Sequence, residues 1–230
     1  MAAAKINEAA FEDAIEHDLV ELGYIKGEAG DFDKALGINT KMLFSFLETT
    51  QGKELARLSG HDWKKRVPAL LAKIIEKRGT LYVLKNEQRI DNIKLTLFYP
   101  KLARGNFAQD EKLYAKNVWG ITRQQTYSLV NGRLEIDSVI FLNGLPLFTL
   151  ELKDTLTDQT AKDDGIRQYR ADRDPSEPLL RFGVCLAYMA VDTDEVWMAS
   201  RLGARKHALH PVQQGITWLA GEAVRKVGRT

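Results

Sequence analysis

The sequence predicts a chain of the α/β class, and three observations carry that prediction. Apolar residues recur at helical spacing through the first eighty positions. Beyond about residue 80, runs rich in β-branched and aromatic residues replace them. Near the middle, two apolar runs flank an Asn-Gly pair, the strongest short signal for a hairpin.

Taken in order, residues 8–22 place Phe11, Ile15, Leu19 and Leu22 three or four apart, which predicts an amphipathic helix that stops at Gly23. Further helices are expected over 41–48 and 63–77, the second interrupted near Pro68. TLYVLKNE, NIKLTLFYP and RQQTYSLV have strand composition. Residues 134–153 (LEIDSVIFLNGLPLFTLELK) form the expected hairpin. The polar stretch 154–174 reads as helical around AKDDGIRQYRADR, followed by a strand at 182–191, a DTDE turn and a strand in EVWMAS. The expected organisation is one unit over 1–200, mainly helical over 1–79 and sheet-bearing over 80–200, with an unassigned basic tail over 201–230.

Composition bounds the function. A chain of 230 residues, 44% of them hydrophobic, is long enough to bury a real core. No apolar run approaches the roughly eighteen residues of a membrane span. The acidic N-terminal stretch lacks the apolar centre of a signal peptide, so no membrane partner and a cytoplasmic setting are expected. The single Cys185 sits in the apolar run GVCLAYMAV and is expected in the core. Charge is polarised along the chain. Nine acidic side chains fall within residues 1–33 against Lys5 and Lys26, and six Lys or Arg fall within 201–230 against Glu222. A basic face for nucleic acid and ordinary solvated charge both fit that pattern, and both fit the cluster Trp63-Lys64-Lys65-Arg66. His61, His207 and His210 have no metal-binding spacing. No Gly-x4-Gly-Lys-Ser/Thr phosphate loop occurs, so no ATP site is expected in this chain.

The hairpin carries charges where a buried strand should avoid them. Asp137 lies in LEIDSVIFL, and Glu151 and Lys153 lie in FTLELK. Such charges cost desolvation unless they are paired or bind a cation. Glu151 and Lys153 are two apart and project to one side of a strand. Two carboxylates are hard oxygen ligands for Mg²⁺, with Mn²⁺ as a substitute. A lysine beside them could orient a water or stabilise the charge that grows on a phosphoryl group. The same spacing also suits a structural ion pair at a strand end. Geometry divides the two readings. With a strict two-residue turn at Asn143-Gly144, Asp137 opposes Leu150 and points away from Glu151. A metal site needs the register shifted by one, through a three-residue loop (Asn143, Gly144, Leu145) or a bulge beside Pro146.

At these residues the chain resembles a known family. The run RQQTYSLVNGRLEIDSVIFLNGLPLFTLELKDTLTDQTAKDDGIRQYRADRDPSEPLLRF is similar to the N-terminal PD-(D/E)xK nuclease domain of type I restriction enzyme R subunits. FEDAIEHDLVELGYIKG, FLETTQ, RGTLYVL and NVWGITRQQ fit the same domain in the same order, from about residue 8 to about 200. The resemblance implies a mixed central β-sheet flanked by helices, in the restriction-endonuclease-like fold. It implies Asp137 and Glu151 as metal ligands, Lys153 as the catalytic lysine, and Glu12 completing the metal site. Gln168 and Tyr169 are implied to support the site or touch DNA, and Arg167, Arg170 and Arg173 to give their helix a cationic side for the DNA backbone.

The implied activity is Mg²⁺-dependent, largely sequence-nonspecific hydrolysis of duplex DNA by a type I site-specific deoxyribonuclease. Methyltransferase and specificity subunits are the implied partners. The alternative is a cleavage-incompetent remnant that binds DNA or those subunits. Asp154 stands where the family usually has asparagine, YMAVD replaces an HFAVD-like strand, and ALHPVQQG replaces an FLPFN-like segment. Full R subunits continue into an ATP-using translocase absent from these residues, so the sequence leaves open a truncated gene, an excised domain or a reduced homologue.

Overall fold

The computed structural model describes residues 2–58, 62–101, 108–153, 159–203 and 210–214, with side chains from Ala9 onward in the first helix and up to Pro211 in the last strand. Helix α1 (Ala2–Glu21) ends where Gly23 turns the chain at φ 93°, as its apolar spacing predicts. Strand β1 (Ile25–Lys26) follows, then the small antiparallel pair β2 (Phe32–Asp33) and β3 (Ile38–Asn39). Asn39 caps α2 (Thr40–Ala56), its side-chain oxygen accepting from the Met42 N–H at 3.0 Å. Gln51 bends α2, and its amide meets both backbone groups of Thr96 at 2.8 Å. Helix α3 (Trp63–Arg78) runs through Pro68, where an interruption is expected from the sequence.

The run TLYVL forms helix α4 (Thr80–Lys85) and not the expected strand. Its buried residues are Thr80, Val83 and Leu84, a spacing of three and four that a helix places on one side. Thr80 is anchored at both ends, its N–H to the Gly183 carbonyl at 2.7 Å and its hydroxyl to the Val184 carbonyl at 2.6 Å. Burial against α3 overrides the strand preference of β-branched and aromatic residues. The hairpin β4 (Gln88–Ile90) and β5 (Ile93–Leu95) and helix α5 (Ala108–Tyr114) complete the first half.

The central sheet is built by β6 (Trp119–Thr126), β7 (Glu135–Leu142), β8 (Leu145–Leu152), β9 (Ala187–Val191), β10 (Glu195–Ala199) and β11 (His210–Gln214), together with β1. Its order is β1-β6-β7-β8-β9-β10-β11. The β1/β6 and β8/β9 pairs are parallel and the rest antiparallel, so the sheet is mixed, as expected. Residues 210–214 fall in the stretch read as an unassigned tail, yet they add the edge strand. The parallel step from β8 to β9 needs a crossover, and a helical segment spanning Ala161–Gly165 and Gln168–Asp172, with wide i→i+5 turns, supplies it.

Two buried clusters flank the sheet. One joins α2, α3 and α4 to the tip of the β7–β8 hairpin through Leu142, Leu145 and Leu147. The other packs Val139, Phe141, Tyr188 and Ala190 under Ala161, Ile166 and Tyr169 of the crossover segment. Cys185 is buried in this second cluster. Among the described residues, no helix is long and apolar enough to cross a membrane.

The hairpin tip is the tightest joint. Gly144 has φ 83°, and a β-carbon there would collide with the Asn39 carbonyl oxygen and lie 2.6 Å from the Leu43 nitrogen. Gly144→Ala is therefore expected to cost about 3 kcal/mol or more of folding stability. Urea unfolding checks this, as a lower midpoint at unchanged slope.

Candidate metal and catalytic site

The site begins with a register shift. Asn143 (φ 52°) and Gly144 (φ 83°) form a two-residue turn of the type hairpins favour, pairing Leu142 with Leu145 and Phe141 with Pro146. Between Phe141 and Ile140 the register slips by one, leaving Leu147 as the extra residue. From there Ile140 faces Phe148, Val139 faces Thr149 and Ser138 faces Leu150. Continued one step past the last pair, this register sets Asp137 opposite Glu151, on one side of the sheet. The shift that an ion site needs is present, as a bulge.

The turn is held rigidly. Asn143 is fully buried, and its side chain accepts from the Val118 N–H at 2.6 Å. Its amide donates to the Leu97 carbonyl at 2.8 Å and to Asn117 Oδ1 at 3.0 Å.

Glu151 is 0% exposed. Its Oε1 accepts from Arg173 Nε at 2.7 Å and lies 2.6 Å from Arg173 Nη2. Its Oε2 is buried with no hydrogen-bond partner among the described residues. Burial, and then the neighbouring Asp137 charge, push the Glu151 carboxyl up to about 8, while Arg173 works in the opposite direction. Asp137 Oδ2 accepts from the Leu152 N–H at 2.7 Å, which ties β7 to β8 at the level of the site.

Lys153 is two residues beyond Glu151 and shares its side of the chain, with its own N–H bonded to the Val191 carbonyl. It lines a cleft of about 350 Å³ together with Gln159, Asp164, Arg167, Gln168 and Asp172. Two facing carboxylates, one with an unsatisfied buried oxygen, fit a hard divalent cation. Asp137 and Glu151 would hold it.

The other expected residues divide. Gln168 reaches the cleft. Tyr169 is 1% exposed, and its hydroxyl meets Thr149 Oγ1 at 2.8 Å and the Met189 carbonyl at 3.3 Å, so it braces the sheet and is closed to base stacking. Arg167 and Arg170 are exposed, Arg167 beside Asp164 at 3.3 Å. Arg173 is a correction. It does not share their cationic side but lies buried against Glu151, with Nη1 3.4 Å from the Tyr127 hydroxyl.

Glu12, expected to complete the metal site, is engaged elsewhere. Both its oxygens are engaged on β6, one by Arg123 Nε at 3.1 Å and Nη2 at 2.9 Å, the other by Gln124 Nε2 at 2.7 Å. Among the described residues no three His, Cys, Asp or Glu side chains gather as an ion cage. Arg66 of the basic cluster pairs with Asp91, and Lys64 with Glu48. His61, His207 and Asp154 lie outside the described residues.

The buried partner that sequence reasoning missed is Arg173, although a signal existed. Ala161, Gly165, Tyr169 and Arg173 recur every four residues, so Arg173 falls on the buried stripe, whereas Arg167 and Arg170 fall off it.

The family model for the type I restriction enzyme R protein N terminus matches residues 5–207 of the 230. The chain belongs to this family. No curated protein sequence matches it. Every residue of the site in this R-protein N-terminal domain lies inside the matched span.

Because Glu151 is raised in the folded domain above its unfolded value of about 4.3, its contribution to stability is fully present below pH ~4.3 and is lost as pH rises through about 8. Without divalent cations, the melting temperature should fall by several degrees between pH 5 and pH 8.5. Glu151→Gln should remove most of that slope. Scanning calorimetry of both proteins across the range checks it, and equal slopes would contradict the assignment.

Proposed function

We propose that the chain is the Mg²⁺-dependent endonuclease module of a type I restriction system, hydrolysing phosphodiester bonds of duplex DNA. The observation that carries this is the bulge-set register, which turns Asp137 and Glu151 to one side of an apolar sheet and leaves Glu151 Oε2 buried without a partner. A bound Mg²⁺ would supply Lewis-acid stabilisation of the phosphoryl group and a water of lowered pKa.

The chain's own residues do the rest. The Leu152 N–H holds one oxygen of Asp137, and Arg173 holds one oxygen of Glu151, so both carboxylates are fixed before substrate arrives. Full burial keeps bulk water from Glu151 and strengthens charge interactions there. Lys153, at the cleft, is placed to donate to a phosphate oxygen and so counter the negative charge that grows as the bond to the attacking water forms. Gln168 at the same cleft and the exposed Arg167 and Arg170 offer donors to the DNA backbone. Contacts of this kind position a duplex but carry no base information, which accords with sequence choice residing in specificity and methyltransferase partners.

Incubation with supercoiled plasmid and Mg²⁺ tests the reading. The wild-type chain should convert plasmid to nicked and linear forms, and Lys153→Ala should slow this by about a hundredfold or more with an unchanged melting curve. Nicking that persists in the variant would refute Lys153 as the catalytic group. A wild-type chain that stays inert even with its partner subunits would favour the non-cleaving binding module.

A further inference from the structure

We infer that Arg173 is the positioning residue of the candidate metal site: it engages one oxygen of Glu151 and leaves the other as that side chain's single donor to a divalent cation. The inference rests on the nuclease reading and adds a residue outside the Asp-Glu-Lys set.

Its geometry is specific. Two nitrogens of the guanidinium, Nε at 2.7 Å and Nη2 at 2.6 Å, converge on the same Oε1. Among the described residues Oε2 has no hydrogen-bond partner, at zero exposure of the residue. An arginine fork can grip a carboxylate through two donors at once, which an ammonium on a flexible stem does not reproduce.

Arg173 is itself held from behind. Nη1 lies 3.4 Å from the Tyr127 hydroxyl, the guanidinium carbon sits 5.6 Å from the Tyr127 ring centre, and Tyr127 is fully buried. The two chain segments that carry these residues are laced together further on. The Glu177 carboxylate accepts from the Ser128 hydroxyl and, at 2.9 Å, from the Leu129 N–H. Arg173, 8% exposed, is thus turned toward Glu151 and away from the surface. It acts through Glu151, by fixing the rotation of the carboxylate and offsetting part of the repulsion from Asp137. Groups that orient a metal ligand in this way typically govern metal affinity by about ten- to a hundredfold.

The test measures Mn²⁺ binding to the full chain without DNA, by the loss of the free-ion electron paramagnetic resonance signal, at one fixed pH. Wild type, Arg173→Met and Arg173→Lys are compared, with circular dichroism to confirm folding. Arg173→Met should raise the Mn²⁺ dissociation constant ten- to a hundredfold. Arg173→Lys keeps the charge but not the fork and should fall between the two. Excess Mn²⁺ should restore plasmid cleavage in both variants. If Arg173→Met unfolds, Arg173→Lys decides alone: affinity equal to wild type overturns the inference. Unchanged affinity in a folded Arg173→Met does the same. A wild-type chain that binds no Mn²⁺ overturns the nuclease reading as well, so the two failures are distinguishable.

Discussion

A carboxylate buried between strands must find compensating charge, and in this domain that requirement falls on Glu151. Ala190 pairs with it on the neighbouring strand, and Val139 and Tyr188 flank Thr149 two residues back on the same strand side. Asp137 across the ladder makes matters worse, since two like charges at short range disfavour each other's ionisation. Arg173 answers part of that demand, but through one oxygen only. A structural ion pair would be expected to satisfy both oxygens, as buried pairs are tolerable only when the remaining lone pairs are met. The half-satisfied state of Glu151 is thus the physical feature on which the functional reading depends.

The backbone creates that state by two local devices. One is the bulge at Leu147, which converts a hairpin that would have put Asp137 and Glu151 on opposite sides into one that faces them together. The other is the crossover segment, whose i→i+5 turns widen the helix as it passes over β8 and β9. Gly165 permits the close approach, because a β-carbon there would lie 2.7 Å from Ala190 Cβ. Tyr169 then reaches Thr149, and Arg173 reaches Glu151, two residues further along the same strand side. The brace lies on the helical segment, and the positioning group is the extended residue that ends it.

This division explains what the sequence disclosed. The Asn-Gly turn, the acidic spacing and the strand runs after residue 119 are local signals, and the structure follows them. The bulge was required by chemistry and not by any residue preference, so only the demand for it was legible. Helix α4 escaped because six residues are too few for periodicity to outweigh composition, and its anchor, the Gly183–Val184 carbonyls, lies a hundred positions away. Arg173 escaped for a different reason. An arginine amid polar neighbours is ordinarily read as surface charge, and the four-residue stripe that buries it includes a glycine and an alanine, which carry little hydrophobic signal.

Glu12 and Glu151 make the contrast that bears on where an ion would sit. Each is a buried glutamate, and each has its own arginine. Around Glu12 the arginine is shared: Arg123 also meets Asp13 and lies 3.7 Å from Glu16, while Gln124 takes the second oxygen of Glu12. That cluster spends its donors on fastening α1 to β6, and both oxygens of Glu12 are already committed. At Glu151 the described donors all reach Oε1, and strand alternation puts Glu151 and Lys153 on one side of the chain. Adding a cation at Glu12 would break existing bonds, whereas adding one at Glu151 would complete an unfinished coordination. Of the two acidic centres, electrostatics favours the second as the place where phosphate chemistry would occur.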